Sequence, residues 1–303
     1  MAISRNQLVK ELEPGLNALF GLEYKQYENQ SAEIYTTESS DRAFEEEVML
    51  SGFANASVKS EGSGVTYDNA QETFTARYTN ETIALAFAIT EEAIEDNLYD
   101  RLASRYTKAL ARSMANTKQV KAAYPLNQGL PSIDNYDSGD AVSLFNTSHT
   151  TIAGSFQNTL STQADLNETS LEQALIDIAG MTDERGLRVA ARGVKMIIPS
   201  ANQFNAERLM KSQGRTGTAD NDINAVASMG MIPQGYRVNN FLTDTDSWYI
   251  ITDVPNGMKM FQRAALKTAM EGDFDTGNVR YKARERYSFG VSDFRGIFGV
   301  EGA

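Results

Sequence analysis

The clearest pattern along the chain is one apolar stripe that starts near residue 94. Its members recur at steps of four with charged residues between them: Ile94, Leu98, Leu102, Tyr106, Leu110 and Met114. This spacing is typical of one face of an α-helix. Thr90 is a suitable N-cap, Glu91 and Glu92 favour the positive end of the helix dipole, and Pro125 is expected to end the helix. The pattern predicts a helix of about 30 residues, roughly 45 Å long.

Polar and apolar residues alternate with a period of two just before this helix. The alternation covers residues 52–80 around the turn Glu61-Gly62-Ser63-Gly64, which predicts a long β-hairpin. It continues through Ile83, Leu85, Phe87 and Ile89 into a buried strand. A two-stranded hairpin is marginally stable alone in water. We therefore expect it to pack on another surface, either in its own domain or on a second copy.

The first 50 residues show a weaker helical pattern. Leu8, Leu12, Leu16 and Leu19 have helical spacing, but Pro14 and Gly15 interrupt them. Because proline breaks the helical hydrogen-bond ladder, we predict a short helix followed by an extended arm. The segment ends in the acidic cluster Glu45, Glu46 and Glu47.

The second half of the chain mixes helices and strands. Thr169 to Glu172 has the form of a capping box, and it opens a helix marked by Leu171, Leu175, Ile178 and Met181. Residues 194–198 are an apolar strand stopped by Pro199, and residues 248–252 form another strand. Together these elements predict an α+β fold.

One electrostatic pattern lies near the C-terminus. Arg280, Lys282, Arg284 and Arg286 alternate with mostly apolar residues, which at strand spacing gives a cationic face. Like charges on one strand face repel, so the row gains from an acidic partner. Two interpretations stay open: contact with an acidic segment of a neighbouring copy, such as Glu45 to Glu47, or a solvated face with partners in its own chain.

Composition narrows the functional classes. The 303 residues carry a formal net charge of −12, which disfavours a protein that condenses on nucleic acid, although acidity for solubility explains it equally well. There is no cysteine, so disulfides and thiol chemistry are excluded. We expect neither a signal peptide nor a membrane span, because no sufficiently apolar run is present.

Catalytic motifs are not apparent. His149 is the only histidine, which makes a zinc site improbable, and no nucleophile or phosphate-binding motif surrounds it. A pair of catalytic carboxylates among the 40 acidic residues stays open, so a carboxylate-based hydrolase remains an alternative.

The order of the segments resembles the major capsid proteins of tailed bacteriophages, in particular the Mu-type head-subunit branch. The resemblance covers nearly the whole chain and rests on these phrases: SVKSEGSGVTYDNAQETFTARYT, TEEAIEDNLYDRLASRY, LFNTSHTTIAGSFQNTL, SWYIITD and GMKMFQRAALKTAMEGDF. It implies the fold named after phage HK-ninety-seven.

The resemblance implies a division of the chain. We expect an N-terminal arm (1–50), an extended hairpin or E-loop (51–82), a peripheral domain with a long spine helix (83–191 and 257–303) and an axial domain (192–256). The phrase Phe145-Asn146-Thr147-x-His149 is a structural loop in that family.

The implied function is that of a shell protein, not an enzyme, with no cofactor or metal. Copies would assemble as hexamers and pentamers into an icosahedral head that encloses double-stranded DNA without reading its sequence. Implied partners are a separate scaffolding protein and a portal, and the resemblance also allows a cement or decoration protein. The expected location is the virion, assembled in the host cytoplasm and without membrane contact.

Ten residues are candidates for contacts between subunits: Glu45, Glu46, Glu47, Lys59, Glu61, Arg77, Arg280, Lys282, Arg284 and Arg286. Some relatives link a hairpin lysine to an asparagine. Lys59 and Asn278 occupy suitable segments, but no motif fixes their geometry, so we expect non-covalent locking. The alternatives are an encapsulin-like compartment with the same fold, and a tail or portal structural protein.

Overall fold

The structure is a computed structural model, and it describes residues 5–90, 92–93, 99–214, 222–273 and 277–303. The described helices are α1 (Arg5–Gln26), α2 (Tyr99–Gln128), α3 (Glu168–Gly180), α4 (Gln203–Lys211) and α5 (Ala225–Met229). Short 3-10 helices span Gln30–Glu33, Ser200–Asn202 and Phe294–Gly296. The strands are β1 (Thr36–Ser39), β2 (Phe44–Leu50), β3 (Glu72–Thr79), β4 (Glu81–Ile89), β5 (His149–Thr151), β6 (Gly154–Phe156), β7 (Gly193–Ile198), β8 (Tyr236–Val238), β9 (Trp248–Thr252), β10 (Met258–Gly272), β11 (Val279–Val291) and β12 (Ile297–Val300).

The first of two four-stranded sheets has the order β1-β10-β11-β4. Its strands pair antiparallel except β1, which runs parallel to β10. Helices α1 and α2 pack on one face of this sheet, where Phe20, Leu110 and Met114 are buried with Tyr281 and Ala283 of β11. The opposite face carries the basic residues of β11.

The second sheet has the order β12-β9-β7-β8. Helix α3 covers it with the apolar residues that the sequence pattern identified, and Leu171, Leu175 and Ile178 are buried against Met196 and Ile250. A further apolar cluster, which includes Leu126, Phe145, Tyr249, Met260 and Ile297, joins this sheet to the end of α2 and to the first sheet.

The long helix is confirmed, with a different end. Helix α2 has 30 residues and continues past Pro125 to Gln128. A proline removes one backbone donor, and the turn still closes, because the Gly129 amide donates to the Pro125 carbonyl at 3.0 Å. The predicted start of this helix, with Glu91, Ile94 and Leu98, lies outside the described residues.

Two predictions for the N-terminal 50 residues and the hairpin are wrong in detail. Helix α1 runs unbroken through Pro14, because the residues after it pack on the sheet: Phe20 is only 2% exposed. The rest of this segment forms a 3-10 helix, β1 and β2, not only an extended arm. In the hairpin, β2 and β3 pair with each other, and the intervening residues 51–71 contain no strand.

The capping box of α3 begins two residues earlier than predicted. Asn167 is the N-cap, its side chain accepts from the Ser170 amide at 2.9 Å, and the Ser170 hydroxyl accepts from the Asn167 amide at 3.0 Å. Helix α3 and strand β12 both pack with the second sheet, although the sequence assigned them to the peripheral domain. The domain boundaries themselves stay a prediction.

No helix in the described ranges is both long and apolar enough to cross a bilayer.

A buried ion pair fastens α2 to the first sheet. Lys118 Nζ lies 3.6 Å from Glu285 Oε2, the Glu285 side chain is 1% exposed, and burial raises the pKa of that carboxyl. Removing one member of a buried pair leaves the other without compensation, which costs about 3–5 kcal/mol.

We therefore expect Lys118→Ala to lower the free energy of unfolding of the unassembled protein by about 3 kcal/mol, as measured by urea denaturation. Lys108→Ala is the matched control, because Lys108 is an exposed residue of the same helix, 3.9 Å from Glu23. It should cost no more than about 1 kcal/mol. Equal effects of the two substitutions would contradict the assignment.

Candidate assembly surfaces

Residues 51–71 project from the body of the protein, and nearly all of their side chains are exposed. From here on, the term extended hairpin refers to these residues, which are the first part of the predicted segment 51–82. The two legs of this hairpin are joined at the base, where the Ser51 amide donates to the Gln71 carbonyl at 2.8 Å. Further along, the Ala54 amide donates to Asp68 at 2.8 Å, and the tip turns at Gly62, whose φ is +78°. Legs of about ten residues reach roughly 33 Å when extended.

The hairpin presents apolar side chains to solvent. Val58 is 98% exposed and Tyr67 is 94% exposed, with Phe53 and Val65 also largely exposed. Lys59 and Glu61 flank the turn and make no ion pair with another described residue. A hairpin of this kind is stabilised little by contacts within its own chain, and it would be stabilised more by burying its apolar side chains on a second surface.

A single arginine ties the hairpin base to the body of the protein. Arg185, in the loop between α3 and β7, donates to the carbonyls of Gly52 at 3.3 Å and Asn69 at 2.5 Å, and lies 3.4 Å from Asp68. The loop is itself ordered by Asp183, whose carboxylate accepts from the amides of Arg185 and Leu187. Sequence reasoning missed Arg185, because nothing in its local pattern indicates a contact with residues more than 100 positions away.

The acidic strand β2 is already paired within the chain. Glu47 Oε1 lies 2.5 Å from Lys259 Nζ, and Glu47 Oε2 accepts from the Ser292 hydroxyl. Glu38 is the second carboxylate on Lys259, at 3.2 Å. Burial acts to lower the pKa of Lys259, but these two carboxylates raise it overall. The lysine therefore stays charged and joins β1, β2 and β10.

The other two acids of β2 have weaker partners. Glu46 lies 3.7 Å from Arg77, and both side chains are about half exposed, so the pair contributes little. The Arg77 guanidinium also lies over the Phe44 ring, 4.0 Å from its centroid. Glu45 accepts from the Ser40 hydroxyl at 2.8 Å. The predicted contact of Glu45 to Glu47 with a neighbouring copy stays a prediction, with Glu47 the least available of the three.

The cationic row on β11 has the predicted alternation. Arg280, Lys282 and Arg284 are exposed and Arg286 is half-buried, while Tyr281, Ala283, Glu285 and Tyr287 between them are buried. Arg280 pairs with Asp273. The adjacent strand β10 adds two cations, so that a shallow cavity of about 280 Å³ is lined by five basic residues. We call these the cationic sheet face: Arg263, Lys267, Lys282, Arg284 and Arg286.

His149 has a structural role in the interior. It is fully buried, its Nδ1 lies 2.5 Å from Asp140, its Nε2 lies 3.0 Å from Asn158 Oδ1, and its ring stacks on Phe294 at 4.1 Å. Asn158 in turn donates to the carbonyls of Leu144 and Phe294. Within the described ranges, no group of three or more histidine, aspartate or glutamate side chains could hold a metal ion.

Asp140 gives this network a pH dependence. Burial acts to raise the pKa of its carboxyl, but hydrogen bonds and charge from His149, with a hydrogen bond from Ser138, hold it below the ordinary value. A carboxylate with a lowered folded-state pKa contributes stability above its unfolded pKa, near 3.9, and loses it as pH falls through the folded pKa.

We expect Asp140→Asn to lower the free energy of unfolding at pH 7 by about 1.5–3 kcal/mol. The gap from the unsubstituted protein should narrow as the pH falls below about 4, because the carboxyl is protonated first in the unfolded state and, at still lower pH, in the folded state. Urea denaturation at pH 7, 5 and 3 measures this. Asp134→Asn, an exposed neighbour, should change stability by less than about 0.5 kcal/mol, and a pH-independent gap for Asp140→Asn would contradict the assignment.

For the hairpin anchor, we expect Arg185→Ala to speed amide exchange at Ala54 and Gln71 by at least about tenfold while leaving global stability nearly unchanged, because only local opening becomes easier. Hydrogen–deuterium exchange on the unassembled protein measures this. Arg188→Ala is the control, since Arg188 belongs to the same loop but its side chain donates to the carbonyl of Gly180 and to no described residue of the hairpin. Unchanged exchange in residues 51–71 would show that Arg185 does not hold the base.

Comparison with known proteins adds a family and a fold. The model of the family described as phage capsid protein matches residues 72–300. No curated protein matches the chain.

Several solved structures resemble the chain over most of its length. One is the capsid of an empty GTA particle, with 16% identity, a TM-score of 0.58 and coverage of 91% of each chain. Another, from Mycobacterium phage Patience, has 11% identity, a TM-score of 0.55 and coverage of 99% of this chain and 89% of that one. A virus-like particle from Pyrococcus furiosus has 10% identity, a TM-score of 0.55 and coverage of 94% and 98%. At these identities the likeness shows the shared fold alone, which is the HK-ninety-seven type that the segment order predicted.

Proposed function

Because the chain belongs to the phage capsid protein family, we propose that it builds the shell of a phage head by laying its extended hairpin on neighbouring copies. The family assignment rests on the match over residues 72–300. The observation that supports the mechanism is the hairpin itself, 21 residues that leave their own domain with exposed apolar side chains. Contact with a surface of another copy would explain both why these residues project and why their apolar side chains are exposed.

The gain from such a contact is substantial for each copy. Burying an exposed side chain the size of valine or tyrosine stabilises an interface by about 1.5–3 kcal/mol. Phe53, Val58, Val65 and Tyr67 are each more than half exposed. Part of this gain is lost to ordering the hairpin, so each contact is modest, and a shell gains its stability from many repeated contacts.

The finer features of assembly belong to the same proposal. Copies associate as hexamers and pentamers around a separate scaffolding protein, with a portal at one vertex and a cement or decoration protein on the finished shell. Assembly takes place in the host cytoplasm, and the mature location is the virion. The shell encloses double-stranded DNA without sequence-specific contacts, which fits a net charge of −12.

In this proposal, the two sheets of the subunit have different roles in the shell. The first sheet with α1 and α2 forms the peripheral body that carries the hairpin, and the region of residues 192–256 meets its copies at the capsomer axis. The matching family favours a phage capsid over an encapsulin-like compartment, and it gives no support to a carboxylate-based hydrolase. A structural, non-enzymatic role remains the prediction.

The test is assembly of the protein expressed together with its flanking genes, followed by negative-stain electron microscopy. We expect closed shells or free hexamers and pentamers. The double variant Val58→Ser/Tyr67→Ser should keep the denaturation midpoint of the unsubstituted protein, because both side chains are exposed, and should reduce the yield of shells by at least about tenfold, since it removes apolar area that only an interface buries.

Asn55→Ala/Gln71→Ala is the matched control, because it truncates two exposed polar side chains of the same hairpin and keeps the apolar ones. It should assemble normally. A monodisperse monomer or dimer under all conditions would overturn the shell function, whereas normal shells from Val58→Ser/Tyr67→Ser would overturn only the role of the hairpin.

A further inference from the structure

The cationic sheet face is a cluster of five basic side chains that have no anionic partner among the described residues. None of Arg263, Lys267, Lys282, Arg284 and Arg286 makes an ion pair or a side-chain hydrogen bond with another residue that the structure describes. This contrasts with Lys118, Lys195 and Lys259, each of which has a carboxylate within 4 Å. Within the part of the chain that the structure describes, the positive charge of this face is therefore not neutralised by an ion pair.

The backbone brings these charges together at some energetic cost. In the β10–β11 pair, Lys267 lies opposite Arg284 and Ala264 lies opposite Arg286, with register shifts on both sides of Ala264. Such irregularities bend a strand and redirect its side chains. Like charges directly opposite each other destabilise a sheet. In addition, the Nε atom of Arg286 is buried and has no hydrogen-bond partner among the described residues.

The residues beside the cations on this face of the sheet have mostly small side chains, so the charged groups are accessible. Strand β4 places Thr82, Ala84, Ala86 and Ala88 opposite Arg286, Arg284, Lys282 and Arg280, and Ala84, Ala86 and Ala88 are exposed. On the other side, β10 contributes Ala264, Ala265 and Ala269 to the lining of the cavity. A row of cations bordered by alanines lets another polypeptide approach the charges closely.

We propose that the cationic sheet face binds carboxylates of a second copy of this chain in the assembled shell. This inference rests on the proposed function, because it requires copies to meet. It extends that function by assigning a charged contact surface to the side of the first sheet opposite α2.

Charge complementarity favours a second copy as the occupant. The chain carries −12 overall, and since five of its cations are gathered on this face, the remaining surface is still more acidic. The remaining surface of a second copy therefore carries more acidic than basic residues, which favours its approach to this face. Duplex DNA would have to approach a protein whose overall field repels it.

The structure also narrows which carboxylates are available. Glu47 is held by Lys259 and Ser292, whereas Glu61 is an exposed hairpin carboxylate without an ion pair to another described residue. Glu61 is therefore the first partner to look for, and the hairpin gives it a reach of roughly 33 Å.

Zero-length cross-linking tests the contact directly. Shells are assembled from equal amounts of ¹⁴N- and ¹⁵N-labelled protein and treated with a carbodiimide, which joins a lysine amine to a carboxylate only when the two are in contact. Mass spectrometry should find mixed-isotope links from Lys267 or Lys282 to an aspartate or glutamate. The absence of any such link from both lysines would overturn the proposal.

Variants give an independent readout. Lys282→Ala/Arg284→Ala should raise the protein concentration needed for assembly at least tenfold and should weaken its dependence on NaCl, both measured by sedimentation velocity. Both side chains are exposed, so the fold should persist, as checked by the denaturation midpoint. Arg192→Ala/Arg208→Ala, which removes two exposed cations elsewhere, should have a smaller effect, and equal effects would overturn the proposal.

Two outcomes separate this inference from its alternatives. If the unsubstituted protein forms no shell, the proposed function fails before the inference is reached. If Lys282→Ala/Arg284→Ala assembles normally but loses binding to a duplex DNA probe that the unsubstituted protein holds at 0.15 M NaCl, the face contacts nucleic acid and the inference is overturned.

Discussion

The packing of α2 against β11 is the contact on which the other surfaces depend. Because successive residues of a strand point to opposite faces, burying Tyr281, Ala283 and Tyr287 under the helices forces Lys282 and Arg284 to the other side. The same strand pairs with β10 and β4, so its register fixes what lies beside each cation. The buried Lys118–Glu285 pair holds this register, since a shift of one residue would bring basic side chains under the helix.

Much of this arrangement follows from the sequence. The apolar stripe predicted α2, the alternation predicted the face of β11, and β9 has the predicted bounds at Trp248 and Thr252. These succeeded because periodicity reports directly which side of an element is buried. The alternation also predicted the strand β4, but its predicted burial is wrong, because Leu85 is 46% exposed and the other three apolar residues of that alternation are only partly buried. The errors in the helices arose where a rule based on local sequence was outweighed by tertiary packing. Proline was expected to end a helix, yet Pro14 and Pro125 both lie inside helices. Each proline removes one backbone donor, while the apolar contacts of the surrounding helix are kept.

The assembly surfaces were also predictable from the sequence only in part. The charges of β11 were predictable from their spacing, but their pairing was not, because ion pairs can join residues that are distant in sequence. Arg280 pairs with Asp273, whereas Lys282 and Arg284 have no ion pair with another described residue. Glu47 shows the converse, since its adjacency to Glu45 and Glu46 suggested a free acidic segment, yet Lys259 lies more than 200 residues away and neutralises it. Arg185 and the hairpin base are separated by more than 100 positions, and only the fold brings them together.

The hairpin is held at its base near Arg185 and is long, so a small rotation at the base moves the tip a large distance. A rotation of about 10° at the base would carry a tip roughly 33 Å away through about 6 Å, which is more than one inter-strand spacing. In the proposed shell of pentamers and hexamers, the neighbouring subunit would lie at a different angle in each kind of ring. Because the base is held by three polar contacts, a small change in the direction of the hairpin would move its tip far enough to follow that difference.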